Sequence, residues 1–330
     1  MSRLRFVLHT DLVRRNAVNA ILAAKPDAVV LIDSWGFTLR VAHGVRAAAP
    51  HIKLIKYIGP QVWAMRAGRA KTVAATVDHL ICIYEMERPF YAPFNLPVSV
   101  SGHPAFGRFK PGDAVAFRAR HKIGDDKRIL LLLPGSRPSE IARVAPTLED
   151  AAAKTCATRP DVLAVCVVSP AVRAQVLAHA ANWKFPHLLV EDANEKDDAF
   201  AAGDVALAAS GTVATEIALQ ETPVIVGYRL AALTWTLMKL MFKPRFATLF
   251  NIAVDDEAAP EFLQDRFTAA NVAAAAAAVL DDPAKARAQV EAQNKALIAM
   301  GRGGRPAAEI AADAVMEVLK RGAAAVRRQT

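Results

Sequence analysis

Two short stretches, roughly seventy residues apart, carry residue types suited to holding a nucleoside diphosphate. The first, Leu131-Leu132-Leu133-Pro134-Gly135-Ser136-Arg137, is an apolar strand that runs into a tight turn ending on a cation. In the second, the apolar run Val205 to Ala208 enters Ala209-Ser210-Gly211-Thr212-Val213-Ala214-Thr215-Glu216, a small-residue turn that opens a helix. A helix starting after such a turn offers unpaired backbone N–H groups and the positive end of its dipole to phosphate. Ser210, Gly211 and Thr212 would line that approach. Arg137 supplies a bidentate clamp for an oxyanion. Glu216, about a turn into the helix, is placed to accept hydrogen bonds from a ribose. Neither stretch is a Walker loop or a GxGxxG fingerprint, which argues against a plain nucleotidase or dehydrogenase.

The elements that must position these residues alternate strand and helix throughout, the pattern of a parallel α/β architecture. A first series predicts helix over 16–25, strand over 28–32 ending at Asp33, helix over 37–49, strand over 53–58, a basic helix over 66–76 and strands over 79–83 and 98–101. Residues 105–127 are polar, carry Pro111-Gly112 and read as an irregular connection. A second series predicts strands over 129–133, 163–168, 187–190, 205–208 and 224–226, separated by helices, the first of them within 138–158. Alanine-rich helices over 269–280 and 284–300 follow, then a Gly-rich break at 301–304 and a closing helix over 306–321. The implied domains are 1–110, a linker 111–127, a nucleotide-binding domain 128–300 and a C-terminal helical segment 301–330 that packs back or is exchanged in a dimer. Asp33, after an apolar strand, sits where such folds present catalytic groups, and a helix N-cap is its alternative role.

Composition narrows the partners. With 41 Lys and Arg against 32 Asp and Glu, the net charge of +9 favours an anionic partner: a phosphorylated substrate, an anionic membrane or nucleic acid. Basic residues are dispersed with no aromatic interleaving, so nucleic acid is the weakest of these. No uncharged apolar run of about 18 residues predicts a membrane span. The three cysteines, Cys82, Cys156 and Cys166, lack metal-ligand spacing and read as reduced buried thiols, and no metal or other cofactor is expected. The apolar stretch Leu233 to Lys243, with Trp235 among its residues and Lys239, Lys243 and Arg245 nearby, suits an interfacial membrane helix, with a dimer interface or the core as alternatives.

Read in order, L-L-P-G-S-R-x-x-E-I, A-S-G-T-x-x-x-E, Tyr228-Arg229, Asn251 and Phe262-Leu263-Gln264 resemble the lipid-A-disaccharide synthase family. Upstream, Ile32-Asp33-Ser34, Tyr57-Ile58-Gly59-Pro60-Gln61-Val62-Trp63-Ala64 and Ser101-Gly102-His103-Pro104 extend the resemblance from about Pro26 to beyond Gln264. It implies a GT-B fold, two Rossmann-like α/β domains with a cleft between them. It also implies an inverting glycosyltransferase that joins UDP-diacylglucosamine to diacylglucosamine 1-phosphate and releases UDP. Such an enzyme would work peripherally on the cytoplasmic face of the inner membrane, and the resemblance leans to a homodimer. In this reading Asp33 takes the acceptor proton, while His103 binds a substrate phosphate, assists proton transfer or serves as a hinge. Arg137 stabilises the leaving UDP and Glu216 holds its ribose. Arg229 is a second phosphate group or a surface ion pair, and Asn251 and Gln264 contact donor sugar or phosphate or form loop hydrogen bonds.

The chain departs from the family pattern in three places. D-x-P-D-F becomes Asp33-Ser34-Trp35-Gly36-Phe37, which removes a second candidate base. The second aromatic of S-V-W-A-W-R becomes Met65. The family's opening strand and Gly-rich turn have no counterpart before Asp33, so the resemblance predicts one or two further βαβ units of ~30 residues each that these residues do not supply. Either the start is set too far downstream or the chain is a shortened relative with an incomplete first sheet. Two other functions fit these departures: a related GT-B UDP-sugar transferase or epimerase with another acceptor, and a degenerate paralogue that binds nucleotide or lipid without transfer.

Overall fold

A computed structural model describes residues 3–209, 211–231, 235 and 245–327, and these fall into two compact units. One takes the described residues of Met1–Gly107 and Met300–Thr330, the other those between Arg108 and Ala299.

The first unit contains α1 (Arg3–Ala24), β1 (Ala28–Ile32), α2 (Trp35–Ala48), β2 (Lys53–Tyr57), α3 (Arg69–Ala74), β3 (His79–Cys82) and β4 (Val98–Val100). Its sheet is parallel throughout, in the order β1-β2-β3-β4. Successive side chains of a strand point to opposite faces, and β2 shows the consequence. Leu54 joins Val41, Val45 and Leu80 in a core under α2, whereas Ile55 packs with Ile81 against Ala311, Ala314 and Val318 of the C-terminal helix Ala307–Arg327. That helix therefore covers the second face of the first sheet. Lys56 shares the face of Leu54 and is fully buried.

The second unit contains α4 (Ala114–His121), β5 (Arg128–Leu133), α5 (Pro138–Arg143), α6 (Ala145–Thr158), β6 (Val162–Val167), α7 (Arg173–Ala180), β7 (His187–Val190), α8 (Lys196–Ala201), β8 (Val205–Ala209), α9 (Thr212–Leu219), β9 (Val224–Tyr228), α10 (Leu249–Val254), β10 (Glu261–Leu263), α11 (Ala269–Asp281) and α12 (Pro283–Ala299). All six strands are parallel, in the order β10-β9-β8-β5-β6-β7. Chain order runs outward from β5 to β7 on one side and from β8 to β10 on the other, so the topological switch lies between β5 and β8. The unbroken run Ile129 to Leu133 and the run Val205 to Ala209 are buried on both faces, as a doubly covered parallel sheet requires.

Several expected boundaries are corrected. The irregular connection expected over 105–127 contains α4, and the stretch 111–127 taken as a linker belongs to the second unit. Asp113 caps it by accepting from the Ala116 N–H, Lys122 closes it in the left-handed region, and Phe117 anchors it with no exposure. Arg120 pairs with Glu195 and Asp198, and His121 with Glu195. With few apolar residues, the segment is held by the buried Phe117 and Ile123 together with these tertiary pairs. Gly112 is needed where it docks, since a Cβ there would lie 2.0 Å from the Asp197 carbonyl oxygen. The single helix looked for within 138–158 is two, broken at Val144. The basic helix expected over 66–76 is only α3, while the first helix begins earlier than expected, at Arg3. Neither α10 nor β10 was expected. β10 is three residues long, and its Glu261 carboxylate is buried where it accepts from the N–H groups of Ala247 and Thr248.

Gly227 on β9 lies under Phe267, with a Cβ there placed 2.0 Å from the ring. Gly227→Ala is expected to destabilise the second unit by about 1–3 kcal/mol through overpacking, read as a lowered urea midpoint.

Candidate functional site

Parallel strands collect the loops that follow them on one edge of the sheet, and in open α/β sheets ligands bind there, at the switch point. In the second unit the two neighbours at the switch, β5 and β8, carry the two motifs that the sequence singled out. Gly135, Ser136 and Arg137 follow β5, and Gly211 and Thr212 follow β8. Arg229 follows β9 and Gln264 follows β10 on the same edge. Ser210 lies outside the described residues.

Glu140 shapes the first loop. Its carboxylate is almost buried and accepts from the N–H groups of Ser136 (2.8 Å) and Arg137 (3.2 Å), and from the Arg137 guanidinium (3.1 Å). Gly135 has φ 129°, and a Cβ there would fall 2.6 Å from the Glu140 Cβ, so glycine serves both the backbone and the space beside it. The Arg137 side chain stays 75% exposed, which leaves its guanidinium open to an incoming anion. After β8, Gly211 is extended, and a Cβ there would meet nothing within 4 Å. Gly211 and Thr212, which open α9, are exposed, and among the described residues no atom stands against that position of Gly211. Glu216 projects from α9 and accepts from Lys196 Nζ of α8 at 2.8 Å, each side chain about a third exposed.

Two further candidate side chains, Arg229 and Asn251, are tied into the protein, and a third position, Gln264, closes β10. Arg229 lies over the Phe267 ring (5.4 Å) and donates to the Phe267 carbonyl. Asn251 is fully buried, donating to the Ala259 carbonyl (2.8 Å) and accepting from the Ala259 N–H (2.9 Å). Its amide also reaches the Glu261 carboxylate at 3.4 Å, so it organises the segment around β10. Gln264 has φ 53° just beyond β10.

In the first unit the carboxyl ends of the strands carry Asp33 after β1, Ile58-Gly59 after β2, Tyr84 beyond β3 and Ser101-Gly102-His103 after β4. Asp33 (φ 44°), Ser34 (φ 44°) and Ile58 (φ 65°) are all left-handed without being glycine, at about 1–2 kcal/mol each. Such strain persists only where its surroundings hold it, and it gathers at functional sites. Ser34, not Asp33, is the N-cap residue of α2, and it caps without its side chain. The Asp33 side chain is exposed. His103 is 8% exposed, stacks on Tyr84 with ring centroids 6.2 Å apart, and its Nδ1 accepts from the Ala105 N–H. Two strands separate β1 from β4, so the strands leading to Asp33 and His103 lie about 14 Å apart at ~4.8 Å per step. The strands that lead to the two residues are therefore not neighbours in the sheet.

Trp63 is nearly buried, and Arg69 stacks over Trp35 at 5.3 Å. The stretch Leu233 to Lys243 lies outside the described residues apart from Trp235. All three cysteines are buried, and burial pushes the thiols of Cys156 and Cys166 up to about 11 and 12, which leaves them protonated and unreactive. A cavity of about 750 Å³ between α6 and the end of α7 is lined by Glu149, His179, Trp183 and Phe185, away from the strand ends described above.

Comparison with known proteins gives this arrangement a family. The profile of lipid-A-disaccharide synthetase matches residues 1–315. The lipid-A-disaccharide synthase of Rhodospirillum centenum is 35% identical over 310 residues, 94% of this chain and 77% of that protein. The chain belongs to the lipid-A-disaccharide synthase family. Its activity is accordingly that of a glycosyltransferase in the synthesis of the lipid A disaccharide. Among solved structures, the fold is similar to that of the alpha,alpha-trehalose 6-phosphate synthase of Burkholderia multivorans, with TM-score 0.63, 14% identity, and 99% of this chain and 78% of that one covered. It is also similar to the UDP-GlcNAc 2-epimerase of Neisseria meningitidis bound to UDP-GlcNAc, with TM-score 0.60, 12% identity, and 93% and 81% covered. Two parallel α/β units with these neighbours make the fold GT-B.

Sequence reading gave no role to three residues that the structure ties to the candidate positions. Glu140 carried a signal, since Arg137-x-x-Glu140 has capping-box spacing before Ile141. Lys196 had none, because only the fold brings α8 beside α9. Lys56 looked like one more surface cation, yet its Nζ donates to the carbonyls of Leu31 (3.2 Å) and Asp33. Burial lowers the Lys56 pKa from 10.5 to about 8, against the opposing pull of the Asp33 charge.

This shift gives a stability signature. Below pH 8 the folded state bears the cost of a buried cation. Between about 8 and 10.5 it releases the proton while the unfolded chain keeps it, so stability rises with pH. Measured against Lys56→Met, the wild-type chain is expected to gain on the order of 3 kcal/mol between pH 7 and pH 10.5, read from urea midpoints at the two pH values. A difference that does not change with pH would contradict the shift.

Proposed function

We propose that this member of the family transfers a diacylglucosamine unit from UDP to diacylglucosamine 1-phosphate with inversion. The observation that carries the reading is the placement of the Gly135–Arg137 loop and the Gly211–Glu216 segment at the carboxyl ends of two adjacent strands. In this reading the diphosphate lies at the exposed Gly211 and Thr212, with Ser210 completing the turn. Arg137 leaves Glu140 in part to clamp the β-phosphate, where charge grows as the glycosidic bond breaks. Glu216 exchanges Lys196 for the ribose hydroxyls. Gln264, at the end of β10, meets the donor sugar, while Arg229 and Asn251 keep that edge in shape through Phe267 and Ala259.

The chemistry assigned to the first unit is proton removal. The acceptor hydroxyl oxygen attacks the anomeric carbon, the bond from that carbon to the phosphate oxygen breaks, and UDP leaves with the electron pair. The hydroxyl proton goes to Asp33. Because its strand is distant from β1, His103 serves substrate phosphate or the loop after β4 rather than relaying that proton. Among the described residues no helix is long and apolar enough to cross a membrane. The net charge of +9 supports peripheral attachment to an anionic surface, the cytoplasmic face of the inner membrane, where acylated substrates reside.

UDP release from UDP-diacylglucosamine, with and without diacylglucosamine 1-phosphate, tests the reaction; release independent of the acceptor rules out this acceptor. Arg137→Ala is expected to lower turnover by roughly two orders of magnitude with the fold intact, a loss of about 2.7 kcal/mol of transition-state stabilisation, and a variant with normal turnover removes Arg137 from the diphosphate site. On flotation, the protein should accompany vesicles containing anionic lipid and be partly released by high salt; indifference to both anionic lipid and salt argues against the attachment.

A further inference from the structure

A lysine with its whole side chain inside a sheet-and-helix layer is rarely placed there for stability, because desolvation penalises the cation. Leu54, on the same face of β2, shows that this layer is otherwise filled by hydrocarbon. Lys56 instead spends its ammonium on the backbone at the end of β1. Its Nζ donates to the carbonyls of Leu31 and Asp33, which closes the turn Asp33-Ser34 from below. That turn holds two consecutive left-handed residues that are not glycine. From the other side, the Asp33 N–H donates to the Tyr57 carbonyl at 2.9 Å, and the Thr38 hydroxyl donates to the Asp33 carbonyl at 2.8 Å. The backbone of the one carboxylate left in the altered D-x-P-D-F segment is therefore fixed at its N–H and its C=O, and the fixing group in the core is a buried cation.

We propose that Lys56 is a positioning residue for the transfer reaction: by holding the strained Asp33-Ser34 turn, it aims the Asp33 carboxylate at the acceptor hydroxyl. The inference rests on the reading of Asp33 as the proton acceptor. A misplacement of the order of 1 Å at a reacting group can cost about a hundredfold in rate, so a donor that sets the turn acts on kcat although it touches no substrate. Glutamine at position 56 keeps an N–H donor for one carbonyl without charge. Methionine keeps the length and removes every donor.

The test is a double-mutant cycle on the full chain, with UDP release measured from UDP-diacylglucosamine and diacylglucosamine 1-phosphate dispersed in detergent. Lys56→Met is expected to lower kcat by roughly tenfold to a hundredfold, with the donor KM within about twofold and UDP affinity by calorimetry unchanged. Lys56→Gln should recover most of that loss. In an Asp33→Asn background, Lys56→Met should cost no further rate, because a residue acting only through Asp33 has nothing left to position. Thr38→Val, which removes the other side-chain donor to the same carbonyl, should follow the same pattern.

Two outcomes overturn the proposal: a Lys56→Met kcat within about twofold of wild type, or losses that multiply with Asp33→Asn, which mark a merely structural role. Should Lys56→Met fail to fold, Lys56→Gln and Thr38→Val in the same cycle decide it by the same criterion. A normal kcat for Asp33→Asn instead removes the base assignment beneath the proposal, and that result is separate from any effect of Lys56.

Discussion

Every strand in both sheets runs parallel to its neighbours, and that one constraint sets where the candidate residues that follow the strands are gathered. A parallel pair cannot be joined by a tight hairpin, so each strand is followed by a crossover, usually helical, and all the loops at carboxyl ends gather on one edge. The crossovers cover both faces of the sheet, which is why β5 and β8 are apolar without alternation. Where chain order reverses, between β5 and β8, the two neighbouring loops leave in opposite directions, and a gap for a ligand opens between them.

Holding those loops has a cost in buried polar groups, offset by hydrogen bonds that the apolar core alone could not provide. Glu140 collects two backbone N–H groups and a guanidinium at the first loop. Glu261 collects the N–H groups of Ala247 and Thr248, with the Asn251 amide nearby. In the first unit Lys56 does the equivalent with carbonyls. A carboxylate gathers donors and an ammonium gathers acceptors, so each sign of charge appears where the loop backbone presents the opposite dipole. Burying such a group without its partners would cost several kcal/mol, so these loops have few alternative arrangements.

The departures from the family's motifs gain physical content from the structure. Gly36, in place of the second acidic residue, has open space where a Cβ would stand, so packing does not demand glycine there. Losing that carboxylate leaves Asp33 as the acidic group at the end of β1, on a turn held by Lys56 and Thr38. His103, beyond the strand at the opposite edge of the same sheet, packs against Tyr84 and Phe106.

The sequence by itself determined the alternation of strands and helices, the two phosphate-suited turns and the family, because these depend on local signals: apolar runs of strand length, small-residue turns and motifs in a fixed order. It misjudged residues 105–127, where few apolar side chains hid a helix anchored by Phe117 and paired with Glu195 and Asp198. It gave no sign of β10, whose three residues acquire strand geometry only by pairing with β9. It left Asn251 open between a ligand contact and loop hydrogen bonding, and in the structure the fully buried amide is bonded to Ala259. Only the tertiary structure decided that Lys196 meets Glu216, that Glu140 rather than solvent receives the loop after β5, and that Lys56 turns inward. A charged side chain looks the same in sequence whether it faces water or a carbonyl. Which it faces is set by strand register and by the elements stacked above it, and those come from distant parts of the chain.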